Sequence, residues 1–262
     1  VLTSLGRTRH ARGEYQHALS AHREALSIFE SLNDRWRVVQ ALNDLGECYQ
    51  ALYSMDQALQ FHEKALALAE EYGAALLKPE IQRNLGVDMV EYGRYDEGVV
   101  YLEKALAGAR RLNNREQEAL ALYNLARAYL RRDRIDETYG LVTDLQEIAE
   151  QLNADRYRAL AGFVKGELHF LQGKTAAAQS MLNQAMLAAQ ASVDRGVLWK
   201  LHATLSHVTE NEEIARVHRT IAAEFIRQTA EPLRDPHLKR CFLQAAPVTA
   251  VLNAAGIDAN SL

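Results

Sequence analysis

The sequence predicts an all-helical protein built from a repeated pair of helices, and three observations carry this prediction. Apolar residues recur at intervals of three and four, as at Ala18, Ala21, Ala25 and Leu26, which is the spacing of one face of an α-helix. Ala, Leu, Glu, Gln and Arg, which favour helices, dominate the chain. The chain contains only four prolines, three of them after residue 230, so little interrupts the helices before the C-terminal end.

A period of 40 residues runs through residues 1–191. Small residues occupy one position of the period, namely Gly6, Gly46, Gly86, Ala126 and Gly166. The position before it holds Leu5, Leu45, Leu85 and Leu125, with Lys165 as the exception. A small residue lets the backbone of a neighbouring helix approach closely, and large residues fill the space around it. The same helix pair is therefore expected five times.

Residues that tolerate a left-handed backbone conformation recur at two further positions. One position holds Asn33, Gly73, Asn113 and Asn153, and the other holds Gly13, Gly93, Asp133 and Gly173, with Tyr53 as the exception. Such residues close helices. We therefore expect helices over about 35–52 and 55–72 in the second repeat, with the other pairs displaced by multiples of 40. Asp34 is expected to cap the first of these helices.

The repeat pattern divides the chain into three parts. Residues 1–191 are expected to hold five repeats, with approximate ranges 1–33, 34–73, 74–113, 114–153 and 154–193. The pattern then weakens, and residues 194–231 are expected to form a degenerate sixth repeat whose second helix covers about 210–230. Residues 232–262 are expected to form capping helices over about 236–244 and 247–255, because the last repeat of an array needs a polar outer face.

The repeat resembles the tetratricopeptide repeat. In the second repeat the matching residues are Leu42, Leu45, Gly46, Tyr49, Ala58, His62 and Ala65, and in the first they are Leu5, Gly6, Gly13, Tyr15, Ala18 and Ala25. The 40-residue form is similar to repeats of kinesin light chains and of many bacterial signalling proteins. The resemblance implies a right-handed superhelical α-solenoid of antiparallel helix pairs. Residues 235–256 are also similar to the C-terminal ends of large bacterial regulators in which a repeat array follows a nucleotidase or cyclase module.

Composition excludes several classes of protein. The formal net charge of -4 and the isoelectric point near 6.2 disfavour a nucleic-acid reader, which usually carries a basic surplus. No apolar run approaches the roughly 18 residues of a membrane helix. Two distant cysteines, Cys48 and Cys241, form neither a disulfide framework nor a metal site, as is typical of the reducing cytoplasm. Because the chain starts at Val1 in mid-pattern, it is expected to be a fragment of a longer cytoplasmic protein.

No catalytic motif is present. The chain lacks the phosphate-binding loop, the dinucleotide fingerprint, the H-E-x-x-H zinc motif and the G-x-S-x-G nucleophile turn. His22 and His62 fall at a position that holds Leu102, Val142 and Leu182 in other repeats, so they are expected to be core histidines rather than metal ligands. Cys48 is expected to be a buried, inert thiol. The chain is therefore expected to be no enzyme and to hold no cofactor or metal.

The resemblance implies that the first helix of each pair lines a concave groove that receives a partner. By position, the partner-binding residues are Arg7, Asn43, Glu47, Gln50, Arg83, Asn84, Val87, Tyr123, Asn124, Arg127, Arg131, Phe163, Glu167 and Phe170. Asn amides both donate and accept hydrogen bonds, so a series of them at the repeat spacing is suited to the main chain of an extended peptide.

Other residue types in this set predict further contacts. Arg83 and Arg127 are suited to a carboxylate or a phosphate, and the aromatic side chains are suited to an apolar anchor. Whether the sixth repeat covers Phe163 and Phe170 stays open.

Two functions compete on this sequence. The first is a non-catalytic scaffold that binds a peptide or a partner domain in the groove. The second is a sensor arm of a larger bacterial signal-transduction protein, such as a signalling ATPase, a cyclase or a transcription regulator, in which the groove contacts an effector domain of the same protein. An effector module encoded before Val1 would favour the second function. Neither function involves a membrane, and a nucleic-acid partner is disfavoured by the charge.

Overall fold

The computed structural model describes residues 1–192 and 194–262, and throughout these residues every regular element is a helix. The first ten helices are α1 (Leu2–Ala11), α2 (Tyr15–Ser31), α3 (Arg35–Ala51), α4 (Met55–Glu71), α5 (Lys78–Glu91), α6 (Tyr95–Arg111), α7 (Arg115–Leu130), α8 (Ile135–Leu152), α9 (Asp155–Leu171) and α10 (Thr175–Ser192). They are followed by α11 (Arg195–Val208), α12 (Glu212–Ala230), α13 (Pro236–Gln244), α14 (Ala246–Ala254) and a short 3-10 helix (Ala259–Ser261). The all-helical fold class predicted from the sequence is confirmed.

The helix spans predicted from the period are confirmed to within a few residues. In the second repeat, α3 and α4 cover the expected spans, and the carboxylate of Asp34 accepts a hydrogen bond from the backbone N–H of Arg37 as an N-cap. The largest difference is at α5, which was expected near residue 75 and begins at Lys78. An earlier start would place Pro79 in the interior of the helix, where its ring clashes with the preceding turn.

The turns between helices adopt the left-handed conformation that the sequence predicts. Positive φ angles occur at Asn33, Asn113, Asp133, Asn153, Gly13, Gly73, Gly93 and Gly173. Tyr53, the exception in the sequence pattern, adopts the same conformation with a φ of 56°. The position therefore imposes the backbone conformation even on a residue that disfavours it.

The small residues of the period allow the two helices of a pair to approach closely. A Cβ atom built on Gly6 would lie 2.5 Å from the ring of His22, and one on Gly86 would lie 2.7 Å from Cγ of Leu102. Neither distance is compatible with van der Waals contact. His22 is 1% exposed and lies in the core, as predicted.

The chain divides into two compact units, which are described separately. Unit 1 comprises Val1–His10 and Glu14–Ala128, and unit 2 comprises Ala11–Gly13 and Tyr129–Leu262. In unit 1, α3 packs on α4 and α5 packs on α6. Part of its core is a cluster that includes Leu42, Ile81 and Leu85. The repeat ranges expected from the sequence stay a prediction.

Unit 2 contains the later helix pairs and the C-terminal helices. The helices α9 and α10 pack on each other, as do α11 and α12, and α13 and α14 pack on α12. Phe242 on α13 and Leu252 on α14 are buried, and helices are present where the sequence predicts them at the C-terminal end. That these helices cap the array stays a prediction. Among the described residues, no helix is both long enough and apolar enough to cross a membrane.

Two glycine-to-alanine substitutions should have opposite effects on stability. Gly73 has a φ of +69°, whereas Gly140 lies inside α8, and a Cβ atom on either would meet nothing within 4 Å. Gly73→Ala should lower the free energy of unfolding by about 1 kcal/mol through backbone strain. Gly140→Ala should raise it by about 0.5–1 kcal/mol through helix propensity. Urea unfolding followed by circular dichroism measures both, and shifts of the same sign would refute the assignment of the Gly73 turn.

Candidate functional site

Polar side chains from the first helices of three pairs meet in unit 1. We call this set the polar face, and it comprises Arg7 on α1, Asn43, Asp44, Glu47 and Gln50 on α3, and Glu80, Arg83, Asn84 and Asp88 on α5. Asn43, Asp44, Asn84 and Asp88 form its buried layer, since each is at most 2% exposed. The other members form an outer layer that solvent reaches. His22 and His62, from the second helices, lie behind the buried layer.

Asp44 joins α1 to α3. The Nε and Nη2 atoms of Arg7 lie 3.0 and 2.8 Å from Oδ1 of Asp44, and Nδ1 of His22 lies 3.5 Å from Oδ2. Burial raises the pKa of Asp44 to about 7, although Arg7 opposes this shift. Burial also lowers the pKa of His22 to about 4, so the imidazole is neutral at pH 7. The α1–α3 contact therefore contains two groups whose charged forms the core disfavours.

Glu47 joins α3 to α5. Its Oε1 atom accepts hydrogen bonds from Nδ2 of Asn84 at 3.0 Å and from Nη2 of Arg83 at 3.2 Å. Burial opposes ionisation of Glu47, but Arg83 and the Asn84 hydrogen bond prevail and lower its pKa to about 2. Asp44 and Glu47 lie one helical turn apart, and their pKa values are shifted in opposite directions. Glu47 therefore supplies a permanent negative charge in the outer layer.

Asp88 on α5 bonds to side chains of both α3 and α4. Nδ1 of His62 lies 2.5 Å from Oδ2 of Asp88, and both side chains are 0% exposed. Nε2 of Gln50 donates hydrogen bonds to Oδ1 of Asp88 at 2.7 Å and to the carbonyl oxygen of Asn84 at 3.1 Å. Sequence reasoning missed Asp88. A buried histidine at a position otherwise held by leucine requires a polar partner, and that requirement was the available clue.

The role expected for the asparagines needs a correction. Asn84 is 0% exposed, and its amide donates to Oδ1 of Asn43 at 2.9 Å as well as to Glu47. Asn124 donates to the carbonyl oxygen of Leu120 in its own helix at 3.0 Å. These amides satisfy groups of the chain itself, because α3 and α5 approach closely enough for direct contact. They do not form the expected series of free amides for a peptide main chain.

The remaining predicted residues divide by exposure. In unit 1, Arg7, Glu47, Gln50, Arg83, Val87 and Arg127 reach solvent to different degrees, whereas Tyr123 is 8% exposed. The guanidinium carbon of Arg127 lies 5.6 Å from the centre of the Tyr123 ring. Tyr123 therefore supports an arginine rather than presenting an open aromatic face.

The unit 2 residues of the predicted set include a second correction. Arg131 is exposed, Glu167 is half-buried and Phe170 is 39% exposed. Phe163 is 1% exposed and is one of the largest fully buried side chains, so it is part of the core and is inaccessible to a second molecule in this conformation. Cys48 in unit 1 is fully buried, and burial raises the pKa of its thiol, in agreement with an inert cysteine.

Family models identify the repeats. Models described as tetratricopeptide repeat match residues 1–35 and, over two overlapping stretches, residues 37–111 and 78–137. These matches cover just over half of the chain. The chain matches none of the curated proteins with which its sequence was compared.

Several solved structures share the fold. A Rap protein complexed with Competence and Sporulation Factor is 16% identical, with a TM-score of 0.70, over 97% of this chain and 72% of that one. The Rap conjugation gene regulator of the plasmid pLS20, in complex with a Phr peptide, is 12% identical, with a TM-score of 0.71, over 100% and 76%. NprR in complex with its cognate peptide NprX is 15% identical, with a TM-score of 0.64, over 89% and 66%. At these identities the likeness shows a common fold.

Replacing Asp44 should change how stability depends on pH. Its pKa is raised from an ordinary value of 3.8 to about 7, so the native protein retains a proton that the unfolded chain releases. The stabilisation from this proton is complete below about pH 4 and is lost as the pH rises towards 7. Asp44→Asn does not titrate. Its free energy of unfolding relative to the wild type should therefore rise by about 1–3 kcal/mol between pH 4 and 7.

Urea unfolding at pH 4, 5.5 and 7 measures this effect. His22 has the opposite dependence, because its stabilisation is lost as the pH falls from 6.5 to about 4, but it is present in both proteins. Asp96→Asn, at an exposed position of α6, is the control. A stability difference between Asp44→Asn and the wild type that is constant across this range would show that Asp44 is ionised throughout.

Proposed function

Starting from the membership of this chain in the tetratricopeptide repeat family, we propose that it is a non-catalytic scaffold that binds a peptide or a peptide-like segment of a partner protein on the polar face of unit 1. The observation that carries the proposal is the two-layer construction of this face. On α1 and α3, the solvent-accessible side chains of Arg7, Glu47 and Gln50 are each held by a buried polar side chain.

Helix packing alone does not require these polar groups. The position of His22 and His62 holds Leu102 and Leu182 in other repeats, where an apolar side chain packs against the small residue. Burying a carboxylate or an imidazole costs free energy unless its hydrogen bonds are made. Four buried polar atoms on or behind the face have no hydrogen-bond partner among the described residues. This cost is expected where a surface serves binding rather than stability.

The buried layer reduces the entropy cost of binding. Arg7 is held by Asp44, Gln50 by Asp88, and Glu47 by Asn84. Side chains that are already fixed lose little conformational freedom when a partner binds. The face therefore provides preorganised donors and acceptors on α1 and α3.

The charge of the face indicates the chemistry of the partner. Its solvent-accessible layer contains two carboxylates, Glu47 and Glu80, and two guanidinium groups, Arg7 and Arg83, whereas Asp44 and Asp88 are buried. Glu47 is ionised at neutral pH because its pKa is near 2. We infer that the partner segment carries at least one lysine or arginine near Glu47 and Glu80. The formal net charge of -4 of the whole chain disfavours nucleic acid.

The comparisons support a peptide as the class of partner. The Rap regulator of pLS20 and NprR are described as complexes with peptides, and both share the fold of this chain. The buried acids, the histidines behind them and Cys48 are inaccessible to a substrate. Binding without chemistry is the function that fits these residues, and the free cysteines fit a reducing cytoplasm.

Charge-neutral variants of the outer layer test this proposal. Displayed random peptides are selected against the whole 262-residue chain, and the affinity of a selected peptide is measured by titration calorimetry. Glu47→Gln and Arg83→Met should each weaken binding about tenfold, because each removes a charge-assisted contact. Glu63→Gln, at an exposed position of α4, should leave the affinity unchanged.

Circular dichroism establishes that each variant keeps its fold. Selected peptides should also be enriched in lysine and arginine. Peptides that bind the wild type and Glu47→Gln with equal affinity would place the binding surface elsewhere. Enrichment in acidic residues would contradict the inferred charge of the partner.

A further inference from the structure

Unit 2 contains a cleft of about 510 Å³ that is separate from the polar face. Residues of α8, α9 and α10 line it. Pockets that enclose small molecules have volumes of about 300–1,000 Å³. The cleft is therefore large enough for a small organic ligand.

The second and third repeats contain large apolar side chains at the positions that line the cleft in the fourth and fifth. In unit 1, Leu66, Ile81, Leu85 and Tyr101 belong to the core cluster of α3, α4 and α5 or pack against it. The residues 80 positions later are Gln146, Ala161, Lys165 and Met181, and all four line the cleft. Four large apolar side chains are thus replaced by smaller, polar or flexible ones. The cleft results from specific residues rather than from loose helix packing.

Lys165 is the residue that gives the cleft its chemistry. It stands where Leu45, Leu85 and Leu125 are at most 3% exposed, and its own side chain is half-buried. Its Nζ atom donates a hydrogen bond to Oε1 of Gln146 at 3.0 Å. Among the described residues, no carboxylate forms an ion pair with this ammonium group. A half-buried cation without a counter-ion favours an anionic ligand.

We propose that this cleft binds a small amphipathic monocarboxylate, with the carboxylate on Lys165 and the carbon chain along α10. The carboxylate accepts a hydrogen bond from Nζ of Lys165 in a charge-assisted contact. The carbon chain packs against Met181, Ala188 and Leu187, and Leu187 is otherwise 66% exposed. Contact with these side chains removes apolar surface of both molecules from water.

The charges that line the cleft limit the negative charge that a ligand can carry. Lys165 and Arg158 are balanced by Glu150 and Asp155, and Arg158 is already paired with Asp155 at 2.7 Å. Among the described residues that line the cleft, Lys165 is therefore the one cation without an ion pair, and Glu150 repels additional negative charge. A dianionic phosphate ester has no second cation to meet its second charge. A monocarboxylate matches Lys165 alone.

Binding is tested on the whole chain with decanoate as the probe, below concentrations at which it forms micelles. Methionine ε-methyl groups are labelled with ¹³C, which gives one NMR signal for each of the four methionines. The Met181 signal should shift saturably, with a Kd of about 0.1–1 mM. The signals of Met55 and Met89 in unit 1 should stay in place. Decanol and decyl phosphate should bind at least tenfold more weakly than decanoate.

Two substitutions of Lys165 separate the charge from the fold. Lys165→Met removes the charge at similar length and should weaken decanoate binding at least tenfold while leaving decanol binding unchanged. Lys165→Leu restores the residue found in the other repeats. It should abolish binding of both probes and raise the melting temperature, so loss of binding cannot be attributed to unfolding. Lys174→Met, at an exposed position beside α10, is the control and should bind decanoate as the wild type does.

Three results would overturn the proposal. The first is a Met181 signal that does not move at millimolar decanoate. The second is decanoate binding that Lys165→Met retains at full affinity. The third is a decyl phosphate affinity equal to or above that of decanoate, which would assign the cleft to phosphates. The polar face lies in unit 1, so each result is independent of the peptide-binding proposal.

Discussion

The structure depends on a steric fit between the two helices of each pair. A small residue on the first helix faces a large side chain sixteen positions later on the second, as Gly6 faces His22 and Gly166 faces Leu182. The backbones come so close that a Cβ atom on these glycines would overlap with the opposite side chain. This fit sets the distance between the helices. The residue sixteen positions after the small one therefore determines whether the contact between the two helices is polar or apolar.

In the first two pairs that large side chain is a histidine, and the polar face follows from this choice. A buried imidazole requires a polar neighbour. His62 is hydrogen-bonded to Asp88, and the ring of His22 lies 3.5 Å from the carboxylate of Asp44. These acids in turn orient Arg7 and Gln50 at the surface. In the fifth pair the same position holds Leu182, whose apolar side chain requires no hydrogen-bond partner. A change of residue type at one core position thus determines which part of the array carries a polar, preorganised surface.

Sequence reasoning was accurate where the backbone alone decides the structure. The period fixed the turns, and even Tyr53 follows it because the helices on either side leave one conformation for the connection. The sequence did not predict which hydrogen bonds the polar side chains form where several partners lie within reach. Asn84 and Asn124 hold the same position in the period, yet one bonds to the adjacent α3 and the other to its own helix. The choice depends on neighbours from other repeats, which the period does not specify.

The cleft in unit 2 differs from the polar face in the neighbours of its polar side chain. In unit 1, polar side chains near the core are compensated by one another, whereas Lys165 replaces a core leucine without gaining a carboxylate in the described part of the chain. A lysine side chain has enough length to fill the volume of a leucine, but its ammonium group requires water or a counter-charge. The side chain therefore leaves the core, and the smaller Ala161 and Met181 do not close the space. Leucine at this position would fill the gap without an electrostatic cost, and the proposed monocarboxylate would supply the counter-charge that Lys165 lacks.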